Sequence, residues 1–387
     1  MGKNINVSIT VVGAGVAGLM LTKKLADLGF KVCLIDKNSR IASGPSTRNE
    51  GWLHAGTYHA TSIQDRVSAI QVAQRCIYGY EQIKRFAPEA IDDIHIPSYV
   101  IINKFEREEE ILSRWKEAEV QHESIDIGEF QKIEPIINIE RVASVYKVKD
   151  LSINTTILYR KLLTEIERAG VSVLTNAKIR YLSDQDVKIT TETNEETYLK
   201  TDIFIYTAGY GIKEIFETNF SMDVPLRCWK SHLLILPRIN KHSVFNIEPG
   251  EVAMMHHGQS TIVGLNEDAI LTHSLDFDLI PEKVENLKNG LRRMFKNTKF
   301  DKYHAVSCIK IDLDRNISAS RSLNVAFGEP VPNHFWVLPG KMTEAPYATD
   351  FIARLMCERL ESDRISRRPC DIWLSSNNIE KYGQTIY

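Results

Sequence analysis

The chain has 387 residues, 43% of them hydrophobic and 25% charged, with 48 basic and 50 acidic side chains and a formal net charge of −2. That length exceeds one ordinary domain, and the near-neutral balance gives no electrostatic footprint for a nucleic acid. No apolar run approaches the ~20 residues that cross a bilayer, no signal-peptide core precedes the first strand, and the six cysteines show neither a C-x-x-C pair nor metal-ligand spacing. The expectation is a reduced, cytoplasmic protein without a transmembrane segment, peripheral membrane contact being left open.

Residues 8–36 read as strand, helix and strand. Ile9-Thr10-Val11-Val12 is followed by Gly13-Ala14-Gly15-Val16-Ala17-Gly18, a G-x-G-x-x-G sequence opening a helical pattern. The first glycine permits the strand-to-helix turn and the second lets backbone approach a pyrophosphate. The third lets helix and strand pack closely, and the helix N-terminus, with Ala17 in its first turn, offers N–H groups and a positive dipole end. Asp36 closes the next apolar run, Val32-Cys33-Leu34-Ile35, where a carboxylate accepts from ribose hydroxyls with Lys37 beside it. The chain is expected to bind a dinucleotide between Gly13 and Asp36.

Residues 46–59, dense in small and polar side chains, form a loop expected to run toward the reactive end of that cofactor, carrying Thr47, Arg48, Asn49 and His54. Arg48 and Asn49 either bind phosphate or shape the loop. A helix follows from about residue 64 to 86, a strand at 97–103 and a charged helix at 106–121, whose Glu106-Arg107-Glu108-Glu109-Glu110 run reads as a solvated face. Residues 154–169 form a helix with Asn154 or Thr155 as N-cap and Gly170 past its end. A strand at 171–174, a hairpin or meander at 178–201 and a buried strand at 202–206 lead to Thr207-Ala208-Gly209. Further strands are expected at 233–236, 260–264 and 335–338, and the last helix at 345–361. His256 and His257, adjacent in a strand, would point to opposite faces with no acid or thiol near in sequence, so no metal site is expected.

Several stretches, in one order along the chain, resemble the D-amino-acid-oxidase-like superfamily of FAD-dependent oxidoreductases. The nearest branch holds the FAD-dependent glycerol-3-phosphate dehydrogenases and L-2-hydroxyglutarate oxidases. Arg48-Asn49-Glu50-Gly51-Trp52-Leu53-His54-Ala55-Gly56 is similar to their histidine-bearing loop, and Tyr206-Thr207-Ala208-Gly209 to the segment closing over the FAD adenosine. Lys230-Ser231-His232-Leu233 resembles a K-G-S-H strand whose histidine faces substrate, and Ser320-Arg321-Ser322-Leu323 a G-x-R-P-L stretch whose arginine holds an anionic group. Gly340-Lys341-Met342-Thr343 is similar to G-K-L-T, which meets the flavin ring with backbone N–H groups. Two departures, Thr57-Tyr58-His59 where an arginine is usual and Ser322 for proline, put glycerol 3-phosphate itself in question.

The resemblance implies an α/β fold: a glutathione-reductase-like Rossmann FAD-binding domain (1–85, 148–216 and 320–387) and a substrate domain on a mostly antiparallel sheet (86–147 and 217–319). It implies FAD as cofactor, with Gly13, Gly15, Ala17, Gly18, Asp36, Lys37, Thr47, Arg48, Asn49, Ala208, Gly209, Gly340, Lys341, Met342 and Thr343 around it, and His54, His232, Arg321 and Lys341 as catalytic candidates. A substrate clamp at Arg321 competes with a surface salt bridge, and a base at His232 with a hydrogen-bonded core histidine. His54 is expected against the flavin ring; some relatives with an H-A-A-G turn link the ring covalently, and His54-Ala55-Gly56 is only similar. A single fingerprint leaves no second nucleotide site. The expected reaction is therefore oxidation of a small, anionic 2-hydroxy acid or polyol derivative by hydride transfer, the electrons passing to oxygen, a quinone or a carrier. The alternatives are an amine or amino-acid oxidase of the same superfamily and, from another class, a non-catalytic dinucleotide-binding protein.

Overall fold

β1 (Lys3–Val12) runs through the middle of a nine-stranded sheet in the computed structural model, which describes residues 3–183, 185–190, 196–266, 269–296, 300–314, 323–361 and 385–386. β2 (Val32–Ile35) and the strand Glu196–Tyr206 flank it in parallel, with Val12 opposite Ile35 on one side and Tyr206 on the other. Ser172–Leu174 adds to β2, and His334–Leu338 adds to Glu196–Tyr206, again in parallel. A parallel neighbour needs a crossover, which the helix α1 (Val16–Asp27) supplies between β1 and β2.

Strand alternation sets the two faces of this sheet. Ile9, Val11, Ile203 and Ile205 pack with residues of α1 and of the helices Thr155–Arg168 and Ala345–Glu361; Phe204, Tyr206 and Trp336 pack with Ile212 and Phe216 of the helix Gly211–Phe220. Covered on both sides, β2 is buried along its whole length. The sheet is mixed at its margins: the hairpin Lys178–Tyr181 and Asp186–Thr190 pairs antiparallel with Glu196–Tyr206, and Ala326–Val331 with His334–Leu338.

The second nine-stranded sheet is antiparallel except where Val244–Asn246 runs parallel to Ser98–Ile102. Its longest pairing joins Leu226–Pro237 to His304–Leu313, from Leu226 opposite Leu313 to Ile235 opposite His304. Residues 233–236 are thus the C-terminal part of a longer strand. The helix Pro281–Met294 covers one face, with Leu287 and Leu291 against Leu234, Leu236 and Val263. A three-stranded sheet of Trp52–Leu53, Leu151–Ile153 and Ile91–Asp92 carries the loop that contains His54.

Side-chain caps fix where two of the long helices start. Asp65 caps Arg66–Phe86 by accepting from Ser68 N at 2.8 Å, and Asn154 caps Thr155–Arg168 by accepting from Thr156 and Ile157 N at 3.1 and 3.2 Å. The charged helix stops at Glu117, earlier than its pattern suggested, because the chain turns into the strand His122–Ile125. Among the described residues, no helix is long and apolar enough to cross a membrane.

Candidate functional site

The turn between β1 and α1 is shaped by close backbone approach. Gly13 has φ +108°, and a Cβ on it would lie 2.7 Å from the Ala208 backbone; a Cβ on Gly18 would lie 1.8 Å from the Gly13 carbonyl oxygen. Only glycine fits at either position. The Thr207 hydroxyl donates to Gly13 O at 2.7 Å, tying this turn to the end of the next strand. Asp36 holds it from the other side: Oδ2 accepts from Ala14 N at 2.7 Å, while Oδ1 accepts from Asn38 N at 2.8 Å. The first turn of α1 has no acidic residue, and Val16 N donates to Ser46 Oγ at 3.0 Å.

This turn opens onto a cavity of about 820 Å3. Gly13, Gly15, Ala17, Asp36, Lys37, Arg48, Asn49, His54, Ala208, Gly209, Gly340, Lys341, Met342 and Thr343 all line it. Gly18 lies beneath the turn instead, and Thr47 uses its hydroxyl to donate to Ala42 O at 2.8 Å. Arg321 falls outside the described residues.

His232 does not line the cavity. It is buried, and its Nε2 accepts from Ile280 N at 3.0 Å. The reason is strand parity: His232 shares a face with Leu234 and Leu236, which pack against the helix Pro281–Met294. The adjacent His256 and His257 also diverge. His256 Nδ1 meets Thr261 Oγ1 at 2.7 Å, whereas His257 lies between Asp92 Oδ2 and the Glu50 carbonyl, 2.9 Å from each.

The His54 loop is organised by a residue that no sequence signal marked. Asp150 is fully buried; Oδ1 accepts from Trp52 Nε1 at 3.0 Å and Ala55 N at 3.2 Å, and Oδ2 accepts from the Thr57 hydroxyl. The His54 ring stacks on Trp52 at 4.6 Å and meets His59 edge-on at 4.3 Å, with its Nδ1 3.8 Å from Asp150. Burial lowers the His54 pKa below the ordinary imidazole value, outweighing the opposing hydrogen bond and charge of Asp150. Trp52 and His59 line the cavity as well, as do Glu50 and Lys310, whose side chains pair at 3.0 Å. Burial is the largest single effect and would raise the Glu50 pKa, but the charge and hydrogen bond of Lys310 together with a backbone hydrogen bond outweigh it and hold the carboxyl below its ordinary value. A lysine inside the apolar strand Ile309-Lys310-Ile311 was the available signal for this wall.

The Gly340–Thr343 turn closes the same end. Gly340 has φ +70° and its Cβ would lie 2.8 Å from Leu323 O. His54 N donates to Thr343 Oγ1 at 3.3 Å, joining this turn to the histidine loop. Lys341 Nζ lies 3.6 Å from Glu344, which is itself buried and bound to Arg75 Nε at 2.7 Å.

A model of the DAO family, FAD dependent oxidoreductase, matches residues 8–340. The chain belongs to that family. The family is one of FAD-dependent oxidoreductases, and the chain has its mixed α/β fold. The DAO-family cofactor fits the site by geometry: the glycine turn opens onto a cavity of about 820 Å3, and the N-terminus of α1 carries no acid to repel a phosphate. Over 248 residues the chain is 21% identical to an L-2-hydroxyglutarate dehydrogenase of Indibacter alkaliphilus, covering 62% of this chain and 60% of that relative. It thus spans less than two thirds of that relative's length. Among solved structures, L-proline dehydrogenase from P. horikoshii superposes with a TM-score of 0.72 at 13% identity, covering 96% of each chain. L-α-glycerophosphate oxidase from Mycoplasma pneumoniae, with FAD bound, gives 0.70 at 16% identity, covering 94% of this chain and 97% of that one. At such identities the likeness establishes the fold alone.

Proposed function

We propose that this DAO-family enzyme oxidises a small anionic 2-hydroxy acid or polyol derivative by hydride transfer to FAD. The observation that carries this reading is a single cavity with the dinucleotide fingerprint at one end and the His54 loop, Lys341 and the Glu50–Lys310 pair at the other. We assign a glutathione-reductase-like FAD domain to 1–85, 148–216 and 320–387, and a substrate domain to 86–147 and 217–319. Gly13, Gly15, Ala17 and Gly18 with the start of α1 hold the pyrophosphate, and Asp36 with Lys37 the ribose. Arg48, Asn49, Ala208 and Gly209 flank the cofactor, Thr47 braces the loop, and Gly340–Thr343 meets the ring.

FAD, when bound, supplies the two-electron acceptor for the hydride. His54, kept neutral by burial, is in the form that takes a proton from a substrate hydroxyl. Lys341, oriented by Glu344, places positive charge where the reduced cofactor would carry negative charge. Arg321 is kept as an anion clamp, and His232 has no part in the scheme. The final electron acceptor would be oxygen, a quinone or a carrier. We place the reaction in the cytoplasm, a reading that the five described cysteines, all buried thiols, support.

An amino-acid substrate is the second reading, because the Glu50 carboxylate also suits a substrate ammonium. Anaerobic mixing of the yellow protein with 2-hydroxy acids, polyol derivatives and amino acids separates the two. Bleaching of the flavin band by hydroxy compounds is expected, and bleaching by amines only would overturn the first reading.

A further inference from the structure

Charged side chains at the His54 end of the cavity differ in how firmly they are held. The Arg48 guanidinium lies 4.5 Å over the Phe277 ring, and Lys341 faces the buried Glu344. Glu50 and Lys310 reach each other across the wall, one from the histidine loop and one from the centre of the strand His304–Leu313, with side chains 22% and 28% exposed. His54 is within electrostatic reach of Glu50 and Lys341 alike, so these groups share one end of the cavity.

The backbone that carries Glu50 is fixed. His257 Nε2 donates to its carbonyl at 2.9 Å, and Asp92 holds the other ring nitrogen at 2.9 Å. Gly51, with φ +61°, lets that ring approach, since a Cβ there would lie 2.4 Å from it. A rigid backbone with a partly exposed side chain allows the carboxylate to change partners while the loop stays in place. An ion pair that keeps part of its surface on the wall of a substrate cavity is open to exchange with the charged and donor groups of a substrate.

Resting on the proposed function above, we propose that Glu50 and Lys310 are the substrate-recognition pair. Lys310 takes the substrate's carboxylate, and Glu50 accepts from the hydroxyl or ammonium on the adjacent carbon in the resting complex, before a proton passes from that group to His54. Two contacts to substrate then replace the one between the side chains, which selects an α-carboxylate bearing a neighbouring hydrogen-bond donor over a plain alcohol or a plain acid.

The test titrates the FAD-loaded enzyme with 2-furoate, a carboxylate with no donor, and with the uncharged 2-furamide, reading the flavin absorption band. Lys310→Met is expected to weaken 2-furoate about tenfold or more, and Glu50→Gln to strengthen it several-fold by releasing Lys310, with 2-furamide unchanged in both. Lys310→Met alone leaves a carboxylate unpaired; the double variant Lys310→Met/Glu50→Gln removes both charges, and is expected to lose 2-furoate binding while keeping FAD. Among anaerobic substrates, 2-hydroxy acids and α-amino acids are the two arms, and kcat/KM for whichever arm bleaches the flavin should fall about a hundredfold in the double variant. A wild type whose spectrum ignores 2-furoate, or 2-furoate affinity within about twofold of wild type in yellow Lys310→Met and double variants, overturns the recognition pair alone. A chain that takes up no FAD overturns the proposed function and this pair together.

Discussion

Asp150 shows how much a single buried carboxylate organises here. Its two oxygens accept from Trp52 Nε1, Ala55 N and the Thr57 hydroxyl, so Asp150→Ala would strand those donors at a cost of ~3 kcal/mol. A urea midpoint lowered accordingly, with less FAD per chain after purification, is the expected result; an unchanged midpoint would contradict the assignment. His256 makes a pH prediction. Burial lowers its pKa from 6.5 to about 4. Above pH 6.5 neither folded nor unfolded chain holds the proton, and the group exerts no pH effect. Between 6.5 and about 4 the unfolded chain takes the proton first, so stability falls with pH by up to ~3 kcal/mol and levels off below. His256→Asn, which keeps a polar atom for Thr261, should flatten that acid limb when unfolding free energy is measured against pH. Residues differ in legibility for the same reason: Asp36 sits at a fixed offset from a glycine pattern, whereas Asp150 finds its partners nearly a hundred residues earlier in the chain.

At the level of elements, helices met turns as closely as the glycines permitted. The helix Arg66–Phe86 crosses the Gly340–Thr343 turn at Gly79, where a Cβ would lie 1.6 Å from Thr343 O. Gly79→Ala must therefore push the turn away, and is expected to cost ~1–3 kcal/mol and to weaken FAD binding. Gly170→Ala is the contrast: φ is +73° but the space is open, so it should cost ~1 kcal/mol and leave FAD affinity unchanged. Thermal melts with fluorimetric FAD titration of both variants test the pair, and equal FAD affinities would refute the turn's role. The apolar pattern and the caps made most helices readable. The alternation of 233–236 placed His232 with Leu234 and Leu236, but nothing local says which face of that strand a helix covers.

On the scale of the whole molecule, the cavity takes walls from both large sheets: Val12 and Ile35 from the first, Ile309 and Lys310 from the second. A ligand that touches both should stabilise the fold by mass action, ~4 kcal/mol at a thousandfold excess over Kd. Apoprotein prepared by flavin extraction is expected to melt below the holoprotein, with a Tm that climbs as FAD is added back. A Tm indifferent to FAD would mean that the cofactor does not bridge the sheets.

Most of the dinucleotide turn was determined by the sequence itself, because Gly18 and Asp36 act on Gly13 and Ala14 within one strand–helix–strand unit, where local spacing dictates geometry; the approach of Ala208 to Gly13 comes from a distant strand end. The far end of the site was decided only in three dimensions. Glu50 meets Lys310, His54 meets Thr343 and Trp52 meets Asp150 across large sequence separations, and each meeting depends on how strands pair and faces pack. Pairings of that kind depend on the whole core, and no short stretch of residues encodes them.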